Sequence, residues 1–371
     1  MRILIAPDKF KGTLTAREAG EAMAAGVGDV YPEAGTTIVP LADGGEGTLE
    51  VALAAGGEER TATVQGPLGE DIEARWVLTG KTAVIETAEA SGLRYVQPRV
   101  QSALAAHSYG SGQLIKEALD AGAEEIICGI GGSAMTDGGS GALRALGLRI
   151  MNDDGARARL GGAALATALQ IDDSGLDPRL KDVKIRIAAD VTNPLHGPDG
   201  AAHIFGDQKG ADAAARSLLD DALRHWGELL QKTSGVDVQI PGAGAAGGFP
   251  SSFLAFTNAS LESGFDLVAE LVGLDAALTG VDLVITGEGS LDEQSRFGKA
   301  PLSVADRAHA NGTDVVVVAG RSTLSLDDIS SHGVKALCSA VECAPSVDEA
   351  LAEPAKYVRE ATVRALRRLQ R

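Results

Sequence analysis

Apolar runs in this chain repeatedly end in a loop that joins glycine to an acid, and a helix follows. The fullest case is Asp282–Pro301, DLVITGEGSLDEQSRFGKAP. Leu283–Val284–Ile285 reads as a buried strand of a parallel sheet. It breaks into Gly287–Glu288–Gly289, and Asp292, Arg296 and Gly298–Lys299 follow. Ile38–Val39 does the same, running into Asp43–Gly44–Gly45–Glu46–Gly47 and a helix to Gly56. Ile3–Leu4–Ile5 stops at Pro7, with Asp8, Lys9 and Lys11 just beyond. Thr15 then caps a helix, with Glu18 completing a capping box. Strand, polar loop and helix in that order predict an α/β fold, whose ligands bind at the carboxyl ends of the strands. The plainer reading stays open at each loop, since an acid also caps helices and glycine also makes turns.

The middle of the chain has a different texture. TATVQ, IEARWVL and TAVIETA, separated by turn residues, predict an antiparallel meander from Thr61. Glu125–Ile130 reads as a strand leading into Gly131–Gly132–Ser133 and Asp137–Gly138–Gly139, where backbone N–H groups could cradle a phosphate. Lys184–Ala189 alternates and ends at Asp190, with Asn193–Pro194 next. Lys209 lies in another polar loop. A long helix follows, with Leu218, Leu219, Ala222, Leu223, Trp226, Leu229 and Leu230 on one face. Asp314–Ala319 and Lys335–Ala340 return to buried strands, and the chain closes on a basic helix expected to be a solvated face. These changes predict a discontinuous arrangement: residues 1–60 with 280–371 as a parallel α/β domain, and 61–279 as an inserted second α/β domain.

At 371 residues the chain can bury a large core, and a 44% apolar content excludes disorder. Its net charge of −18 argues against binding nucleic acid or anionic membrane. An anionic small substrate is still allowed, because a local lysine cluster can reverse the field of a pocket. Three cysteines, Cys128, Cys338 and Cys343, are too few and too irregular for a disulfide frame or a zinc site. No apolar run approaches a membrane span, so the expectation is a cytoplasmic protein.

Gly242–Gly248 fits GxGxxG, but Pro241 precedes it and Phe249–Pro250 follows, which is poor context for a dinucleotide fingerprint. A Walker A motif is absent: Glu293 stands where Gly298–Lys299 would need a glycine, and Ala300 replaces the Ser/Thr. There is no HRD or DFG set and no GxSxG.

Seven loops taken together resemble one family. APDKFKGTLTA, PLADGGEGT, GIGGSAMTDGG, Asp190–Pro194, FGDQKGA, PGAGAAGG and TGEGSLDEQSRFGKAP occur in the order seen in the class I glycerate kinases of bacteria. The resemblance covers essentially the whole chain. It implies transfer of the γ-phosphoryl group of ATP to D-glycerate with Mg²⁺. It also implies two α/β domains around a cleft, one flavodoxin-like and one restriction-endonuclease-like. Lys9, Met135–Thr136, Ser290 and Ser295 depart from the family pattern; Ser290 replaces an arginine, for which Lys9 or Arg296 is the candidate substitute.

Under this reading Asp190 is the first candidate to take the hydroxyl proton and Asp43 the second, with Lys299 neutralising the transferred group. Asp8, Lys9, Lys11, Asn193, Lys209 and Arg296 are the candidates for substrate contact. Gly131, Gly132, Ser133, Gly244, Gly247, Gly248, Gly287 and Gly289 would approach the nucleotide. Asp292, Glu288 and Asp43 would hold Mg²⁺. Two other classes stay open: an NAD-dependent oxidoreductase of a small hydroxy acid, and a non-catalytic sugar-acid binding protein. The position phosphorylated is not legible, and neither is the oligomeric state, which leaves room for a homodimer.

Overall fold

The structure, a computed structural model, describes residues 1–152, 155–296 and 300–370. It is a mixed α/β chain whose contacts divide it into two compact units, Met1–Asp43 with Phe265–Arg371, and Gly44–Gly264. The joins thus fall at 43/44 and 264/265, not at 60/61 and 279/280. The helix Thr48–Ala54 packs on the strands Asp71–Thr79 and Thr82–Glu86, which draws residues 44–60 into the second unit. Arg307 draws 265–279 into the first: it pairs with Asp266 and Asp275 and lies over the Phe265 ring.

The first unit is built on a five-stranded sheet. In spatial order the strands are Val334–Ser339, Asp314–Ala319, Leu283–Gly287, Arg2–Pro7 and Gly35–Ile38, all parallel. Numbered along the chain within this unit, the order is 2-1-3-4-5, that of flavodoxin-like sheets. The central strands are apolar at nearly every position because both faces are covered. Ile3, Ile5, Leu283, Ile285, Val316 and Val318 form one core with the helices Ala16–Val30 and Pro354–Leu369. Thr15 and Glu18 make the expected capping box. The final helix is not merely a solvated face: Tyr357, Val358, Ala361, Ala365 and Leu366 are buried. A Cβ at Gly26 would stand 2.7 Å from the Arg359 carbonyl oxygen, so glycine allows the two helices to pack this closely.

The second unit carries a six-stranded sheet. Ala259–Glu262, Lys184–Ala188, Glu125–Gly129 and Thr82–Glu86 are parallel; Asp71–Thr79 and Glu58–Gln65 complete the predicted meander antiparallel. Arg186, on a central strand, is buried because Glu262 and Glu125 on its two flanking strands take its guanidinium, at 2.6–2.9 Å and 3.3 Å. The helix Ala213–Ser234 buries Leu219, Ala222, Leu223, Trp226, Leu229 and Leu230 as expected, but leaves Leu218 42% exposed. Asp212 caps this helix, and Leu218 falls just off the stripe set by the residues after it.

Candidate active site

In the five-stranded sheet the order of connection reverses between Arg2–Pro7 and Leu283–Gly287, and ligands of such sheets bind at the carboxyl ends there. Pro7 pairs with Gly287, so Asp8 and Glu288 are the next residues on neighbouring strands. Asp43 follows the edge strand, whose continuation is tied to Pro7 by the Leu41 N–H at 2.9 Å. Asp8 and Glu288 are both buried. Burial, followed by the charge of Asp43, pushes the Asp8 pKa up to about 7 against the opposing pull of Lys9, with Glu288 adding to the rise. The Lys9 N–H donates to Asp8 Oδ1 at 2.6 Å. Two carboxylates, Asp43 and Glu288, that help burial to hold a third acid protonated make a site short of positive charge.

The loop after Glu288 is self-bracing. Ser295 Oγ donates to Glu288 Oε1 at 2.6 Å and accepts from the Asp292 N–H at 3.1 Å. Ser290 receives the Arg321 guanidinium at 3.1 Å, so a cation does reach the position where the family pattern has arginine. Gly287 and Gly289 are small for packing reasons. A Cβ at Gly287 would overlap the Val318 carbonyl oxygen, and one at Gly289 would stand 3.0 Å from the Lys11 backbone nitrogen. Lys11 is exposed, and Gly12 turns the loop behind it. The Arg296 side chain and Lys299 lie outside the described residues.

In the second unit the strand ends carry Glu86, the Gly131–Ser133 loop and Asp190. Glu86 is buried, and its Oε1 accepts the Gly47 and Leu49 N–H groups, each at 2.9 Å. It therefore caps a helix 37 residues away in sequence. Sequence reasoning missed it; the only signal was an acid closing the apolar run TAVIE. Gly131 and Gly132 are exposed, while Ser133 is buried. Asp190 is exposed and accepts the Gly264 N–H at 2.9 Å. Asn193 spends its amide on the Asp199 carbonyl at 2.8 Å, and its own carbonyl takes the Gly244 N–H.

Asp137 and Lys209 lie deeper. Asp137 is fully buried and accepts from Ser108 N–H and Oγ, both at 2.9 Å, and from the Gly139 and Gly141 N–H groups. Lys209 is 2% exposed, and its ammonium donates to the Met135 carbonyl at 2.6 Å. Burial pushes its pKa down to about 8, with the Asp137 charge opposing. As placed, Lys209 supports the 131–139 loop from behind.

The 242–248 run packs against the same loop and is not exposed backbone. Gly138 N–H donates to the Gly247 carbonyl at 3.0 Å, and the Gly138 carbonyl collects Trp226 Nε1, Ser251 Oγ and Ser252 Oγ. A Cβ at Gly247 would overlap the Met135 carbonyl oxygen, and one at Gly244 that of Pro194. No straight strand-to-helix turn exists here, since Ala246, Gly247 and Gly248 are all left-handed. Gly247→Ala should therefore cost about 2–3 kcal/mol from overpacking and backbone strain. Gly122→Ala, with φ +84° but open space around it, should cost only about 1 kcal/mol. Equal urea midpoints for the two variants would remove the packing account.

Comparison with known proteins bears on the whole chain. The family model described as the glycerate kinase family matches residues 3–370. The chain is 46% identical over 354 residues to the glycerate 2-kinase of Escherichia coli K12, covering 94% of this chain and 93% of that one. It is 43% identical over 362 residues to the glycerate kinase of Bacillus subtilis 168, covering 96% and 95%. The crystal structure of a putative glycerate kinase 2 from Salmonella typhimurium LT2 superposes with a TM-score of 0.88 at 40% identity, covering 100% of this chain and 98% of that one.

Proposed function

Because this chain belongs to the glycerate kinase family, we propose that it transfers the γ-phosphoryl group of ATP to the 2-hydroxyl of D-glycerate, releasing ADP. Phosphorylation of glycerate comes with the family. The choice of oxygen rests on the Escherichia coli relative, a glycerate 2-kinase 46% identical to this chain. Phosphorus NMR of the product tests it: the 2-phosphoglycerate resonance is expected, and 3-phosphoglycerate as the first-formed product would overturn it.

Phosphoryl transfer leaves the protein mostly positioning and charge stabilisation to perform. Mg²⁺ with ATP needs only one or two carboxylates besides phosphate oxygens and water. Among the described residues no three acid, histidine or cysteine side chains form a ready cage. The crowding of Asp43 and Glu288 on a buried Asp8 nevertheless suits a hard cation. Asp43 and Glu288 would hold it, with Asp292 in the same braced loop. Bound there, it would offset the charge of the phosphates.

Asp190 takes the proton of the attacking hydroxyl in this reading, and Lys9 and Lys11 meet the glycerate carboxylate. The exposed Gly131–Gly132 backbone is the phosphate-facing loop, while Lys209, Gly244, Gly247 and Gly248 fix its shape from behind. Lys299 is retained as the cation for the transferred group. A cytoplasmic location goes with ATP as donor. Among the described residues, no helix is long and apolar enough to cross a membrane.

Ser295 offers a specific check. Ser295→Ala removes the hydroxyl that orients Glu288. The Mg²⁺ concentration for half-maximal rate should rise roughly tenfold, as when a supporting hydrogen bond to a metal ligand is lost. An unchanged Mg²⁺ titration would detach Glu288 from the metal.

A further inference from the structure

Cys338 and Cys343 bracket the tight turn that follows the Val334–Ser339 strand, and the phosphoryl chemistry uses neither. Their Sγ atoms are 3.9 Å apart. Cys338 is fully buried and Cys343 half-buried. The Cys343 and Ala344 N–H groups both donate to the Ala340 carbonyl, at 3.0 and 3.1 Å, which curls the chain back on itself. Arg364 Nη1 donates to the Glu342 carbonyl at 2.9 Å and stands 4.0 Å from Cys343 Sγ. Glu342, an acid beside the pair that opposes ionisation of Cys343, is partly offset: it accepts from Ser339 Oγ at 3.0 Å and faces Arg368 at 3.4 Å. The hydrogen bond from Cys338 outweighs burial and, with the Arg364 hydrogen bond and charge, holds the Cys343 thiol below the usual range. The same hydrogen bond, and burial, push the Cys338 thiol up.

We propose that Cys338 and Cys343 form a peroxide-sensitive dithiol site, with Cys343 the attacking sulfur and Cys338 the resolving one. The Cys343 thiolate attacks one oxygen of hydrogen peroxide. An S–O bond forms, the O–O bond breaks, and the departing hydroxide takes a proton to become water. Cys338 sulfur then attacks the sulfenic sulfur of Cys343. The S–S bond forms, the S–O bond breaks, and the hydroxide leaves as a second water with the Cys338 proton. Two thiols are oxidised and one peroxide is reduced to two waters. The sulfurs must close to about 2.05 Å, a movement that side-chain rotation of the half-exposed Cys343 can supply. Thiols that peroxide can attack sit near a cation and partly exposed, as Cys343 does; Cys338 needs no access to solvent because its sulfur attacks a neighbour 3.9 Å away, whereas a buried thiol with no sulfur beside it stays inert. Cys128 is such a thiol: it is fully buried, its pKa pushed up to about 12 by burial, and it serves as an internal control.

The test treats the full chain with a small excess of hydrogen peroxide, quenches it, alkylates under denaturing conditions, and reads intact mass and peptide maps. The expected product is lighter by two hydrogens before alkylation, takes up label only at Cys128, and is restored by dithiothreitol. Cys338→Ser should stop at a sulfenic acid on Cys343 that dimedone captures, and Cys343→Ser should consume no peroxide. Arg364→Gln should slow the first step by roughly tenfold, through loss of the neighbouring cation. Label on all three cysteines after peroxide would overturn the proposal. So would a dimedone adduct on Cys338, or a disulfide joining two chains. If a variant fails to fold, the wild-type mass and map decide alone.

Discussion

Asp190→Asn is expected to lower kcat by roughly 10²–10⁴, the range for loss of a positioned general base. Asp190 stands just past the Lys184–Ala188 strand, exposed, with one oxygen accepting the Gly264 N–H at 2.9 Å. Asparagine keeps an acceptor for that hydrogen bond, so the local chain path is retained. What it loses is the capacity to take a proton from a neutral hydroxyl. The loss should appear in kcat with little change in the KM for glycerate, since an interaction made only in the transition state is removed. Steady-state kinetics with a melting curve separate the cases. A near-normal kcat would take Asp190 out of the chemistry and transfer the role to Asp43.

Asp8→Asn should stabilise the metal-free protein above neutral pH while weakening its response to Mg²⁺. In the folded protein Asp8 keeps its proton up to about 7, whereas unfolded it ionises near 3.8. Between those values the folded state binds more protons than the unfolded one, so stability falls as pH rises through the window. Above pH 7 the wild type bears the whole cost of an ionised, buried carboxylate, on the order of 4 kcal/mol at most. The variant bears none of it. Its Tm should exceed that of the wild type at pH 8 and converge with it near pH 4. Added Mg²⁺ should raise the wild-type Tm at pH 8 more than that of the variant. Parallel Tm–pH curves would show that Asp8 is not held protonated by its neighbours.

The parts legible in the sequence are those whose cause is local. Ile3–Ile5 and Leu283–Ile285 announce strands covered on both faces because no polar residue interrupts them. Thr15 and Glu18 announce a helix start because the capping box spans only three residues. The meander from Thr61 is legible through its turns. The parts that were not legible depend on distant partners. Glu86 reaches Gly47, Asp137 reaches Ser108, and Lys209 reaches Met135, 39, 29 and 74 residues away. Nothing beside those residues marks the pairing. Glycine is ambiguous for a physical reason: the same missing Cβ admits a ligand or another stretch of backbone. At Gly244, Gly247 and Gly287 backbone occupies that space. Asp8 was readable as a strand-end acid, but its crowding by Asp43 and Glu288 required the sheet order.

The most direct measurement of the central claim is ATP consumption by the purified protein, followed as ADP release, with D-glycerate and Mg²⁺ each present or withheld. Turnover only when both are present is the predicted result. ADP release independent of glycerate, or none with glycerate under any divalent metal, would contradict it.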